Sequence, residues 1–153
     1  MFDKLNFPGY NFKIIIHGID GQSSKVFDIV RRKYVALTKE EWVRQHLLQY
    51  LVHDKKVPKS LIGVEKKILV NKLVKRTDLV VYGRNAKPLL IAECKAPSVK
   101  ITQETFDQAA RYNLSLDVTY FILTNGRDTF YCTIDHVRKS YHFLEDIPMY
   151  ELL

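Results

Sequence analysis

Cysteine is nearly absent from this sequence. The 153 residues contain two, Cys94 and Cys132, and they form no Cys-x-x-Cys pair. That excludes a disulfide framework and a thiolate zinc site, and both are expected to be reduced thiols in a cytoplasmic protein. Glycine and proline are sparse, six and five, and no linker, repeat or low-complexity segment interrupts the chain. Long apolar runs are missing as well. None approaches the ~20 residues that cross a bilayer. The opening Met1-Phe-Asp-Lys-Leu-Asn carries no signal-peptide core, so no membrane role is expected. The five histidines, His17, His46, His53, His136 and His142, fall at no metal-ligand spacing. Serine and cysteine nucleophile patterns, a phosphate-binding P-loop, a helix-turn-helix and a zinc finger are all lacking.

Acidic residues are outnumbered, 17 against 24 lysines and arginines, for a net charge of +7. That balance favours a polyanionic partner. With 46% hydrophobic residues the chain can bury one core. It reads as a single domain: an N-terminal β extension over 1–37, a core over 38–135 and a C-terminal tail over 136–153. The excess charge is concentrated. From Asp54 to Arg76, Lys55, Lys56, Lys59, Lys66, Lys67, Lys72, Lys75 and Arg76 face only Asp54 and Glu65. Lys66, Lys67, Lys72, Lys75 and Arg76 are candidates for a phosphate track.

Local patterns give the element order. Residues 1–12 should be irregular. Lys13–His17 and Lys25–Ile29 predict a hairpin, with a third short strand at Tyr34–Leu37. Thr38-Lys39-Glu40-Glu41 predicts a capping box and a helix to about Val52, apolar on two sides and so packed between layers. Strands follow at Leu61–Val70, with Val64, Ile68 and Val70 as the apolar positions, at Thr77–Tyr82 and at Leu89–Lys95. A helix from Thr102 or Gln103 to Asn113 leads to strands at Val118–Thr124 and Thr129–Ile134, joined at Asn125-Gly126. The tail from Tyr141 should dock against the domain. The order is an α/β (α+β) αβββαβ core, a mixed central sheet flanked by helices, with an N-terminal β-hairpin extension.

One pattern carries chemistry. Asp78 lies in one strand, fourteen residues precede Glu93, and Lys95 follows in Glu93-Cys94-Lys95. Alternation puts Glu93 and Lys95 on one face of their strand and Cys94 on the other. Two carboxylates and an ammonium at the ends of neighbouring strands make a hard-oxygen site suited to magnesium. A lysine beside it can orient or activate water for attack on phosphorus. An Asp–Glu pair held close also needs a cation between its members.

Together the αβββαβ order and the Asp-x14-Glu-x-Lys spacing resemble the PD-(D/E)xK, restriction-endonuclease-like superfamily. Glu40-Glu41-Trp42-Val43-Arg44-Gln45, Arg76-Thr77-Asp78, Glu93-Cys94-Lys95 and Gln108-Ala-Ala-Arg-Tyr112-Asn113 resemble the N-terminal nuclease domain of the type I restriction enzyme R subunit. The resemblance runs from about Pro8 to Gly126. It implies a Mg2+- or Mn2+-dependent deoxyribonuclease in which Asp78 and Glu93 bind metal, with the Cys94 carbonyl as a further oxygen. Lys95 is then the catalytic lysine, and Gln108 and Tyr112 form a Q-x-x-x-Y element near the DNA backbone. Glu41, in preference to Glu40, is the helical acid completing the metal shell, although it is also the cap partner of Thr38. Thr77 stands where the superfamily places proline. The partner is DNA, and a separate helicase or specificity subunit, or a second copy, would supply what the chain lacks. The alternative is a non-catalytic nucleic-acid-binding or interaction module that retains the nuclease fold.

Overall fold

The computed structural model describes residues 2–70 and 72–153, with the side chain of Val70 outside that description. Two sheets form. The smaller has three antiparallel strands, β1 (Ile14–Ile15), β2 (Lys25–Asp28) and β3 (Lys33–Ala36). The larger has six, in the order β4 (Ile62–Val70), β5 (Leu73–Tyr82), β6 (Pro88–Cys94), β7 (Tyr120–Thr124), β8 (Thr129–Asp135) and β9 (Ser140–Leu144). Every neighbouring pair is antiparallel except β6 and β7. Helix α1 (Lys39–His53) precedes β4, and helix α2 (Gln103–Leu114) connects β6 to β7. This is the αβββαβ order expected from the sequence, with a fifth and a sixth strand added at the β8 and β9 edge.

Each helix has the start its sequence encodes. The Thr38 hydroxyl accepts the Glu41 amide at 3.0 Å, and the Thr102 hydroxyl accepts the Thr105 amide at 3.1 Å, each satisfying one orphan donor. Helix α1 is buried on nearly all sides, from Val43 through Leu51. One face meets the sheet, where Leu47, Leu48 and Leu51 pack with Leu79, Val81, Leu90, Ala92 and Ile122. The N-terminal segment covers another. Phe12 lies 4.8 Å from Trp42 and 4.6 Å from His46, centroid to centroid. His46 is thus a core residue, its Nδ1 2.9 Å from the Trp42 carbonyl, and burial holds its pKa below the ordinary value. Gly126 fixes the other end of that segment. Its φ of +82° suits glycine, a Cβ there would meet Leu5 Cδ2 at 2.8 Å, and its carbonyl accepts the Asn6 amide at 2.7 Å.

Helix α2 covers the opposite face of the sheet, where Phe106 and Ala110 pack with Val80, Ile91, Phe121 and Leu123. Buried on both faces, β6 and β7 read as continuous apolar runs. Three details depart from the sequence reading. Strand β5 begins at Leu73, four residues before Thr77, because the β4–β5 ladder, interrupted at Glu65 and Asp78, resumes at Lys66↔Thr77 and runs out to Val70↔Leu73. Strand β7 begins at Tyr120, not Val118. The tail contributes a strand, β9, since Tyr141 and Phe143 pack on Phe106 at 5.3 and 4.8 Å.

Candidate active site

The chemistry-bearing residues gather where β5 and β6 part. Their ladder ends at Leu79↔Ala92, and Asp78 and Glu93 are the next residues on the two strands. Beyond that pair the Cys94 amide has no backbone acceptor on β5. It donates instead to Asp78 Oδ2 at 2.7 Å. The Lys95 amide continues the parallel ladder, donating to the Thr124 carbonyl at 2.8 Å. Side-chain alternation is as the spacing requires. Cys94 is buried in the α1-side core, and Glu93 turns the other way, toward Lys75. Lys95 is half-buried and has no ion-pair partner among the described residues.

Each carboxylate is met by a protein cation. Arg44 of α1 donates from Nη2 to Asp78 Oδ1 at 2.9 Å. Lys75 Nζ lies 2.7 Å from Glu93 Oε1, 3.1 Å from Asn113 Oδ1 and 4.5 Å from the centre of the Tyr112 ring. The two cations come from opposite sides of the sheet, Arg44 from the α1 layer and Lys75 from beneath α2. Asp78 and Glu93 stay partly open, 23% and 24% exposed, whereas Lys75 is 5% exposed. A buried ammonium held by a carboxylate, an amide oxygen and an aromatic face is fully partnered.

Behind Asp78 the charge network deepens. Arg44 also binds both Glu40, at 3.3 Å, and Glu41. Arg31, in the turn between β2 and β3, reaches Glu41 at 2.6 Å, Glu65 at 2.8 Å and Asp28 at 2.7 Å. Gln45 donates to both Asp28 and Glu41 at 2.8 Å. Burial works against the Arg44 charge, but Glu41 and Asp78 outweigh it and hold the guanidinium above its ordinary pKa. Burial, reinforced by the Asp78 charge, pushes the Cys94 thiol well up. An open cleft of about 400 Å³, lined by Arg31, Thr38, Glu40, Glu41, Arg44 and Glu65, lies on this side.

The structure thus brings Asp78, Glu93, Cys94 and Lys95 to one strand junction. Glu41 is drawn into the arginine network. Its carboxylate carries Arg31, Arg44 and Gln45, so the reciprocal half of the capping box with Thr38 is replaced by ion pairs. Gln108 and Tyr112 are exposed on α2, Tyr112 over Lys75. Of the five basic residues of the candidate track, Lys66, Lys67, Lys72 and Arg76 are exposed and Lys75 is turned inward. Sequence reasoning missed Arg31, Arg44 and Glu65. Arg44 had a signal: three and four residues after Glu41 and Glu40, it shares their helix face.

Among the described residues no group of three or more His, Cys, Asp or Glu side chains converges as a metal site. The oxygen donors at the junction are the Asp78 and Glu93 carboxylates and the Cys94 carbonyl. Carboxylate and carbonyl oxygens are the donor type that magnesium takes, and here each carboxylate is engaged by a protein cation, Asp78 by Arg44 and Glu93 by Lys75.

A mixed sheet between two helices, with Asp-x14-Glu-x-Lys at a strand junction, defines a restriction-endonuclease-like chain. Residues 39–148 match the family model of the type I restriction enzyme R protein N terminus (HSDR_N), and the chain belongs to that family. Among solved structures, it is similar to a fragment of an HsdR subunit of a type I restriction enzyme from Vibrio vulnificus YJ016. The TM-score is 0.53 at 17% identity, over 75% of this chain and 24% of that one. This likeness is one of fold, and the chain spans about a quarter of the length of that neighbour. No curated protein matches the chain. No helix among the described residues is long and apolar enough to cross a membrane.

Proposed function

We propose that this chain is a nuclease domain that hydrolyses DNA phosphodiester bonds with Mg2+ or Mn2+. The observation that carries the reading is the junction itself: Asp78 and Glu93 directly follow the last ladder pair of β5 and β6, with Lys95 two residues beyond Glu93 and its amide on the Thr124 carbonyl. Asp78, Glu93 and the Cys94 carbonyl would hold the ion, which when bound neutralises charge on the phosphate. Lys95, free of any ion pair among the described residues, orients the attacking water and stabilises charge developing on the phosphoryl oxygens. Arg44 and the Cys94 amide hold the Asp78 carboxylate, and Lys75 holds that of Glu93. Gln108, exposed on α2, would offer its amide to phosphate or water. Glu41 acts through Arg44. Lys66, Lys67, Lys72 and Arg76 supply positive charge for the DNA backbone. Family membership supports DNA and the other subunits of a restriction assembly as partners, with a helicase or specificity subunit supplying motion and sequence choice, or a second copy completing a dimer. A cytoplasmic location goes with that role.

A second reading has its own observation. Each carboxylate already carries a protein cation, as a module that binds nucleic acid without cutting it would allow. One assay decides. Supercoiled plasmid and single-stranded DNA are incubated with Mg2+, Mn2+ or chelator, wild type beside Lys95→Ala. The nuclease reading predicts metal-dependent cleavage, lost in Lys95→Ala while the fold and DNA binding persist. Binding without cleavage by the wild type, or equal cleavage by the variant, contradicts it.

A further inference from the structure

Strands β4 and β5 extend past the junction as a two-stranded ribbon whose faces differ. Ile68 and Lys75, paired across the ladder, are both 5% exposed and face α2. The other face carries the cross-strand pairs Lys67↔Arg76 and Leu69↔Val74. Arg76 is 69% exposed at its side chain, and Leu69 and Val74 are 70% and 66% exposed. Exposed aliphatic pairs on a two-stranded ribbon are unusual without a partner to cover them.

The face is continuous with the candidate active site. Arg76 Nη2 lies 3.5 Å from Glu65 Oε1, and Glu65 lies 3.6 Å from Arg44, the partner of Asp78. That contact with Glu65 leaves the rest of the Arg76 guanidinium in solvent. Strand rise puts the Lys67–Arg76 pair roughly 7 Å from Asp78 and the Leu69–Val74 pair roughly 13 Å away. These distances correspond to about two and four base-pair steps along a duplex. Lys66 and Lys72 add exposed positive charge at either end of the ribbon.

We propose that this face is a duplex-DNA-binding ribbon, resting on the nuclease reading above. Lys67 and Arg76 hold backbone phosphates next to the one being cut, and Leu69 and Val74 enter the major groove, which admits a two-stranded β-ribbon and offers thymine methyl groups to aliphatic side chains. The basic pair complements the phosphates, and the aliphatic pair selects a grooved duplex over a single strand.

The test is fluorescence anisotropy of a labelled duplex and of its separate single strand, in chelator, over a salt series. Lys67→Ala/Arg76→Ala should lower the log–log salt slope by about 2, at ~0.9 per phosphate contact. Leu69→Ser/Val74→Ser should weaken duplex binding about tenfold with an unchanged slope, and leave single-strand binding as in the wild type. All four side chains are exposed, so both variants should melt with the wild type. If either double variant binds duplex as the wild type does, the ribbon is not the contact, even where the wild type still cuts DNA. A wild type that neither binds nor cuts DNA defeats the nuclease reading as well. Equal loss of duplex and single-strand binding in Leu69→Ser/Val74→Ser overturns the groove assignment.

Discussion

Replacing Glu93 by glutamine should destabilise the fold as well as disable the site, and the size of that effect follows from Lys75. The ammonium is 5% exposed and its charged partner is Glu93, 2.7 Å away. Breaking a fully buried ion pair costs about 3–5 kcal/mol, because the remaining charge stays desolvated. Glu93 is a quarter exposed, and Lys75 keeps the Asn113 oxygen and the Tyr112 ring. Those contacts and the screening of an open carboxylate reduce the expected cost to about 2 kcal/mol. For a chain of this size each kcal/mol moves the midpoint by about 2–4 °C. Glu93→Gln should therefore melt roughly 4–8 °C below the wild type by circular dichroism. Lys75→Met/Glu93→Gln removes both charges and should recover at least about half of that loss, the coupling that a double-mutant cycle reads. A Glu93→Gln midpoint within about 1 °C of the wild type would show that the buried Lys75 charge does not depend on Glu93. So would a double variant no more stable than Glu93→Gln alone.

Further outcomes can be checked with small amounts of protein. Burial alone would raise the pKa of Asp28, but the Arg31 amide, Gln45 and the Arg31 guanidinium outweigh it and hold the carboxyl below the ordinary value. The unfolded chain therefore takes up this proton first, so the Asp28 contribution is complete above about pH 4 and fades as pH falls through the lowered folded value. Asp28→Asn should be less stable than the wild type at pH 7 in urea titrations, with the two converging as pH falls below the ordinary carboxylate range; parallel profiles would contradict this. Burial pushes the Cys132 thiol up to about 12 and that of Cys94 well above the ordinary range. At pH 8 neither should react with a disulfide reagent until the fold is opened with guanidinium, and a stoichiometric burst from the native protein would show that one thiol is accessible.

The site was legible in the sequence to the extent that it depends on strand alternation near the sheet centre. The spacing of Asp78, Glu93 and Lys95 and the opposite orientation of Cys94 follow from period two alone. What was hidden depends on a change of face. Val64 packs on the α1 side and Ile68 on the α2 side, although even spacing would keep them together. Leu79 and Lys75 separate in the same way. Glu65, at a φ of +50°, lies between the two halves of β4. This local twist turns Lys75 inward to Glu93 and leaves Lys67 and Arg76 outside, so the run of lysines could not be sorted from composition. The roles of Arg31 and Arg44 were hidden because ion-pair networks join elements distant in sequence: Arg44 reaches Asp78 across 34 residues. Strand β9 was concealed by its length, five residues, whose pairing is decided by the aromatic contacts to Phe106.

The proposed nuclease activity requires one divalent ion shared by the carboxylates at the β5–β6 junction, and titration calorimetry with Mn2+ reads it directly. The wild type should bind one ion per chain with a heat that Asp78→Asn abolishes while the variant remains folded. A wild type that binds no ion, or an Asp78→Asn variant that binds it equally well, would contradict the account.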